Sequence, residues 1–328
     1  MNNCKVSIIT TVRNEEQSIK ILINSILKQS YDFDEFVIND NSSIDATVRI
    51  IEEYIKLDNR IKIVKSCAQS IGEGRNAAIE HSSGDILVII DSGLSVPANW
   101  LNNLITPLLK DKTLDVAWGR VIYDTKSRII ESSNIALSLV FLTKYSENKF
   151  DNSFVPSSAF RRRVWIELNG FPVINLPVED LLLIDMIKKN KFKTVFVPEA
   201  IVYYFEFPDN IYDVFRKWSL STYCSIAVRK SHRGFIRQLV IFGLFFLAVF
   251  LTFIDLRALA LVGLYMFVYL TNKAFQNKPL AKTIFSKPEV FFTMINLFFV
   301  LNIARVVGAT KAAIDTVLGK IPREKSQG

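Results

Sequence analysis

Short apolar runs and amphipathic stretches alternate along the first ninety residues of the chain. Val6–Thr11 is an unbroken β-rich run, the pattern of a strand buried on both faces. Asn14-Glu15-Glu16 opens a helix whose apolar positions Ile19, Leu22, Ile23, Ile26 and Leu27 recur at helical spacing. The same alternation predicts a strand over Glu35–Asn39, then a helix carrying Ile44, Val48, Ile51 and Ile55 on one face. A strand over Ile61–Val64, a helix over Glu73–Ser82 and a strand over Ile86–Ile90 complete the series. Strands separated by helices imply right-handed βαβ units, hence an α/β fold with a mostly parallel, Rossmann-like sheet. Such sheets bind ligands beyond the carboxyl ends of their strands, where Thr11, Arg13, Asp40 and Asp91 all fall.

The middle of the chain is less regular. Strands are expected over Val116–Tyr123, Thr194–Val197 and Ile201–Phe205, and a helix over Ile135–Tyr145. A short helix over Arg161–Leu168 ends on Asn169-Gly170, a C-terminal stop signal. Glu179–Lys189 reads as a helix with carboxylates at its start and lysines at its end, as the helix dipole favours. Pro156–Phe160 reads as a loop that lines a pocket or merely enters a strand. Asn210–Lys230 reads as a basic amphipathic helix suited to a membrane surface.

Three uncharged apolar segments follow, over 238–254, 258–272 and 290–304. Each is close to the ~17–25 residues that span a bilayer, with Arg237, Arg257, Lys273 and Arg305 at the ends to snorkel. The competing reading is a buried helical subdomain or an interfacial hairpin. The expected organisation is an α/β domain over 1–207, a basic juxtamembrane helix over 208–237, a membrane region of two to three helices over 238–312 and a polar tail over 313–328.

Charge and cysteine usage narrow the class. Net charge is +8, and the basic residues gather between 214 and 237 and between 272 and 287, beside the apolar spans. That placement fits the cytoplasmic side of a cell membrane with anionic lipid and argues against nucleic acid as the partner. The three cysteines are scattered without CxxC spacing, and there are two histidines. A disulfide framework, structural zinc and a histidine metal centre are thereby disfavoured. Val6 follows Met1 too soon for a signal peptide, so the first portion is expected in the cytosol.

Four stretches in order carry a resemblance. Val6-Ser7-Ile8-Ile9-Thr10-Thr11-Val12-Arg13-Asn14-Glu15-Glu16 is similar to the opening strand of family 2 glycosyltransferases. Phe36–Thr47 resembles that family's second strand and turn, Gly72-Glu73-Gly74-Arg75-Asn76 its next helix start, and Asn169-Gly170-Phe171 with Glu179-Asp180 its acceptor-side signature. The resemblance covers roughly residues 5 to 220 and implies a GT-A fold and inverting transfer from a nucleotide sugar, most simply a UDP-sugar. The acceptor would be a lipid-linked or growing glycan in cell-surface polysaccharide or glycolipid synthesis. It places the nucleotide on Thr11, Arg13, Glu15, Asp40, Arg75, Asn76 and Asp91, and makes Asp180 the general base beside Glu179. Arg75 and Asn76 would hold phosphate at a helix start.

The family's Asp-x-Asp cation site is here Asp91-Ser92-Gly93, leaving Asp91 as the one metal carboxylate for Mg²⁺ or Mn²⁺. Asp40 and Asp91 have turn-capping alternatives, and Glu179-Asp180 could be an ordinary acidic helix start. Arg216-Lys217-Trp218 would receive a lipid phosphate on the acceptor and membrane side, or simply anchor the helix. Two rivals stand: a catalytically silent nucleotide-binding membrane scaffold, motivated by the incomplete Asp-x-Asp, and a nucleotidyltransferase, which lacks its glycine-rich, lysine-bearing loop.

Overall fold

The computed structural model describes residues 4–123, 155–204, 210–227 and 288–320, with a few single positions between the last two stretches. The described residues fall into two compact units, one holding 4–123 and 155–204, the other holding 210–227 and 288–320. The expected helix over 135–145 lies outside them, as do nearly all of the first two apolar segments.

The first unit is an α/β sandwich on an eight-stranded sheet. In chain order its strands are β1 (Val6–Val12), β2 (Glu35–Asn41), β3 (Ile61–Ser66), β4 (Ile86–Ile90), β5 (Leu94–Ser95), β6 (Val116–Tyr123), β7 (Ser157–Arg161) and β8 (Thr194–Tyr204). They lie in the order β3-β2-β1-β4-β7-β6-β8-β5. The helices are α1 (Ile19–Leu27), α2 (Thr47–Ile55), α3 (Ile71–Glu80), α4 (Trp100–Lys110), α5 (Arg162–Glu167) and α6 (Glu179–Lys189).

The parallel part of the sheet is where the sequence pattern placed it. β1 pairs in parallel with β2 and β4, and β2 with β3, in the βαβ arrangement expected of fully buried apolar strands. The sheet is nevertheless mixed. β7 runs antiparallel between β4 and β6, and β5 antiparallel to β8. The two strands expected over 194–197 and 201–205 are one, β8, parallel to β6 with a register shift between Gly119 and Arg120.

Two hydrophobic layers flank the sheet. One packs Ile19, Leu22, Ile23 and Ile26 of α1 and Trp100, Leu101, Leu104, Ile105 and Leu108 of α4 against alternate strand residues such as Ile8, Phe36 and Val88. The other sets Ala78, Ile79, Leu183 and Ile187 against Ile9, Val37 and Ile89. Ile44 does not join its helix face. It is 92% exposed and precedes α2, in a turn where Asp45 Oδ1 accepts from Thr47 N and Oγ1 at 3.0 and 2.6 Å.

At the N-terminal edge of the sheet, buried Glu35 accepts from Ser7 Oγ (2.6 Å), Ser83 N (2.5 Å) and Lys62 Nζ (2.6 Å). Burial alone would raise its pKa. The three donors outweigh that and hold it at about 2.

In the second unit, α7 (Ile211–Ala227) packs along the 30-residue α8 (Pro288–Val317). Ser219 Oγ donates to Ala304 O at 2.8 Å, and a Cβ on Gly308 would lie 2.1 Å from Ser219 O. α7 therefore buries Val214, Tyr223, Cys224, Ile226 and Ala227, while Arg216 and Lys217 stay exposed and Trp218 half-buried. Within α8, Phe292–Val317 is long and apolar enough to cross a membrane. It extends past the expected segment because Arg305 is the only charge between Val290 and Thr310.

Candidate active site

A cavity of about 410 Å³ opens at the carboxyl edge of β1 and β4, within the ~300–1,000 Å³ typical of small-ligand sites. Thr11 lines it from the end of β1, Arg13 and Glu15 from the loop that follows, Asn41 from the end of β2, Asp91, Ser92 and Gly93 from the loop after β4, and Tyr204 from the end of β8. Gln69, Ser70 and Ile71 close it at the start of α3.

The rim is held by two interlocked loops. Asn14 N donates to Ser43 Oγ (2.9 Å) and Asn14 Oδ1 accepts from Ile44 N (2.9 Å). Glu16 N donates to Asp45 Oδ2 (3.1 Å) and Glu16 Oε2 accepts from Ala46 N (3.0 Å). Asn14 and Ser42 take left-handed backbone conformations, with φ of 58° and 56°. Asp40 is buried behind this rim and does not line the cavity. Its Oδ2 accepts from Ser43 N at 3.2 Å, which closes the turn, while Oδ1 has no partner among the described residues.

α3 begins in a tight space. Ser70 Oγ accepts from Glu73 N (3.2 Å) and Glu73 Oε2 from Gln69 N (2.7 Å), a reciprocal cap of the capping-box kind. A Cβ on Gly72 would lie 2.2 Å from Pro172 O, and one on Gly74 2.4 Å from Thr11 Oγ1, so only glycine lets this first turn pass between them.

That passage brings Arg75, 1% exposed, into a ring of carboxylates. Its Nη1 donates to Asp180 Oδ1 at 2.5 Å and lies 3.7 Å from Glu179 Oε1, while Nη2 donates to Asp91 Oδ1 at 2.8 Å. The guanidinium sits 5.4 Å from the centre of the Phe171 ring. Burial opposes its charge, but the three carboxylates prevail and hold its pKa above the ordinary arginine value. Burial pushes Glu179 up to about 7, with the Asp180 charge adding to it. Burial also raises Asp180, against the pull of Arg75.

The expected site residues thus divide. Thr11, Arg13, Glu15 and Asp91 meet at the cavity, and Asp91 is joined through Arg75 to Asp180 and Glu179. Arg75 faces carboxylates rather than the open cavity. Asn76 is turned inward. Its Nδ2 donates to Phe171 O, and its Oδ1 accepts from Phe171 N and Trp165 Nε1, which commits the amide to the Asn169-Gly170 turn. Ser157 and Ser158, expected in a loop, lie buried in β7, where Ser157 Oγ accepts from Trp100 Nε1 at 3.0 Å. Arg216, Lys217 and Trp218 belong to the second unit.

Sequence reading missed Asn41, Gln69, Ser70 and Tyr204. The first lies two residues past an expected strand end, and the next two stand just before the start of an expected helix. Among the described residues no three His, Cys, Asp or Glu side chains are grouped to hold a metal.

A profile described as "Glycosyl transferase family 2" matches residues 7–167, the stretch that builds β1 through α5. This segment belongs to glycosyl transferase family 2. The chain is 31% identical over 150 residues to the UDP-Glc:alpha-D-GlcNAc-diphosphoundecaprenol beta-1,3-glucosyltransferase WfgD of Escherichia coli, a match covering 45% of this chain and 56% of that protein. It is 33% identical over 91 residues to the poly(ribitol-phosphate) beta-N-acetylglucosaminyltransferase TarS of Staphylococcus aureus, covering 27% of this chain and 16% of that one. The chain thus spans less than two thirds of either relative. Among solved structures it resembles the mannosyltransferase PcManGT from Pyrobaculum calidifontis, in complex with GDP-Man and Mn²⁺. The TM-score is 0.58 at 18% identity, covering 95% of this chain and 88% of that one, a likeness of fold. The mixed sheet and its helices are the GT-A-like fold of this family.

Proposed function

We propose that the chain is an inverting glycosyltransferase that moves a sugar from a nucleotide sugar, a UDP-sugar in the simplest case, to a hydroxyl of a lipid-linked or growing glycan. One observation carries the reading: Asp91 on the cavity wall and Asp180, 89 positions later in the chain, converge on a single buried guanidinium.

The cavity takes the nucleoside diphosphate. Thr11, Arg13, Glu15 and Asn41 offer polar groups to base and ribose. Asp180 receives the proton of the acceptor hydroxyl as that oxygen bonds to the anomeric carbon. The bond from carbon to the diphosphate oxygen breaks on the opposite face, and its electron pair leaves with the nucleotide. The Arg75 bond keeps Asp180 ionised, while burial keeps it a stronger base than a free carboxylate. Glu179, the more buried neighbour, is pushed up to about 7, so near neutral pH it carries only part of a second negative charge.

A divalent cation, when bound, would neutralise the diphosphate charge. The oxygen donors Asp91 and Ser92 fit Mg²⁺ or Mn²⁺ held jointly with phosphate oxygens and water. α8, with the basic clusters at 214–237 and 272–287, supports attachment to a membrane with the catalytic unit on the cytoplasmic side. Tethering there would raise the effective concentration of a lipid-borne acceptor.

The test is a screen of nucleotide sugars for donor hydrolysis and transfer by detergent-solubilised protein, with and without Mg²⁺ or Mn²⁺. Absence of turnover with every donor, together with unchanged cellular glycans in Asp180→Asn cells, would favour a second reading. That reading is a nucleotide-binding scaffold, motivated by Asp91-Ser92-Gly93 in place of a two-carboxylate site.

A further inference from the structure

We infer that Arg75 is a positioning residue that competes with the donor's cation for Asp91 and passes wholly to Asp180 and Glu179 when the donor arrives. The inference rests on the reading of Asp91 as donor-side and Asp180 as acceptor-side.

The geometry is that of a shared fork. One guanidinium gives Nη2 to Asp91 and Nη1 to Asp180, with Glu179 a further 1.2 Å beyond the Asp180 contact (3.7 against 2.5 Å). Of the three carboxylates Asp91 is the most exposed, with 41% of its side chain accessible against 31% and 6%, and it alone lines the cavity. A cation entering with the diphosphate meets Asp91 first. Oδ1 of Asp91 already accepts from Nη2, so a cation on that carboxylate, even at Oδ2, sets a second positive charge beside the guanidinium and repels it.

Releasing Asp91 costs Nη2 its hydrogen bond, beside an Nε that already has no partner among the described residues, yet the charge stays paired. A buried arginine stripped of its only partner is strongly destabilising, but Arg75 retains Asp180 at 2.5 Å, Glu179 nearby and the Phe171 ring against its face. Its stem cannot follow Asp91 outward, because the start of α3 is wedged at Gly72 and Gly74. The cation and Arg75 therefore exchange places on one carboxylate, and the bond that survives is the one that aims Asp180. In a chain without a second Asp at position 93, Arg75 is what keeps Asp91 placed before the cation comes.

This role sets binding and turnover moving in opposite directions. Removing Arg75 frees Asp91, so Mn²⁺ binds more tightly, yet Asp180 loses its anchor, so transfer slows. A phosphate-binding Arg75 would weaken nucleotide binding on removal, and a purely structural one would weaken both.

The experiment measures Mn²⁺ affinity of the full chain with UDP or GDP by electron paramagnetic resonance, for wild type and Arg75→Gln, alongside kcat. The expected result is at least threefold tighter Mn²⁺ binding with at least a hundredfold lower kcat. Equal or weaker Mn²⁺ binding in folded Arg75→Gln overturns the inference. Because that variant gathers three carboxylates without a cation and could fail to fold, a wild-type structure with Mg²⁺ and the same nucleotide decides independently. Nη2 withdrawn from Asp91 with Nη1 still on Asp180 supports the exchange. Nη2 still on Oδ1 with the cation bound to Asp91 overturns it. Wild type that binds neither nucleotide nor Mn²⁺ brings down the functional reading itself, an outcome separate from binding without exchange.

Discussion

Asn76 and Phe171 clasp each other across 95 residues: Phe171 N donates to Asn76 Oδ1 at 2.7 Å, and Asn76 Nδ2 donates to Phe171 O at 2.9 Å. With Trp165 Nε1 on the same oxygen, one amide fastens α3 to the turn that leads towards α6. Asn76→Ala leaves two donors and one carbonyl without a partner in a buried place. At about 1–3 kcal/mol for each unsatisfied group, and with partial relaxation, the expected loss is about 3 kcal/mol. Urea unfolding measures it. Nucleotide affinity per folded molecule should stay within about twofold, and a large specific loss would return Asn76 to the ligand.

Asp180→Asn keeps the shape of the side chain and one acceptor for Arg75 while removing the base. Loss of a general base costs about 10²–10⁴-fold in rate. The expected outcome is that drop in transfer with nucleotide binding retained within about tenfold, read by a turnover assay beside titration calorimetry. Transfer within threefold of wild type would remove Asp180 from the chemistry.

Two glutamates give stability opposite pH dependences. Glu35 is held at about 2 against an ordinary 4.5, so the folded state binds fewer protons than the unfolded chain between these values. Its contribution is complete above pH 4.5 and is lost as pH falls towards 2. Lys62, the charged partner, is half exposed, so solvent screening leaves a contribution on the order of 2 kcal/mol. Urea midpoints of Glu35→Gln should therefore fall well below wild type at pH 7 and approach it at pH 2.5.

Glu179 is raised to about 7, so the folded state holds the extra proton between 4.5 and 7, and stability declines as pH rises through that window. Glu179→Gln copies the protonated form. It should stabilise the protein at pH 8 by on the order of 2 kcal/mol and by much less at pH 5. A stabilisation independent of pH would show that Glu179 is not the group that titrates.

Gly308→Ala places a methyl 2.1 Å from Ser219 O, a backbone atom that cannot rotate aside. Overpacking of this kind costs about 1–3 kcal/mol, so α7 should separate from α8 at a lower temperature. Thermal unfolding in detergent, or earlier proteolysis within 211–227, reads the effect. An unchanged melting curve would mean the two helices do not cross at Gly308.

The parallel half of the sheet was legible because its strands are solid apolar runs and its helices show a clear buried face. Ile89, Ile38 and Ile8 need no long-range information to be placed. β7 was not legible: Ser157 and Ser158 look like loop residues until Trp100 and Val155 are there to satisfy their hydroxyls. α4 went unread because Asn102, Asn103 and Pro107 break up its polar face, although Trp100, Leu101, Leu104, Ile105 and Leu108 form a buried stripe. At the site, strand ends located Thr11, Arg13 and Asp91, but the partners of Arg75 lie 16 and 105 positions away. Nothing local says whether an arginine at a helix start meets a phosphate or a carboxylate.

The reciprocal bonds between residues 14–16 and 43–46 tie the ancestry of two segments together. A chimera that takes one loop from another glycosyltransferase and keeps the other inherits half of a matched set, with amides facing side chains that cannot answer them. Exchanging donor preference by grafting should therefore succeed only when both loops travel as a pair.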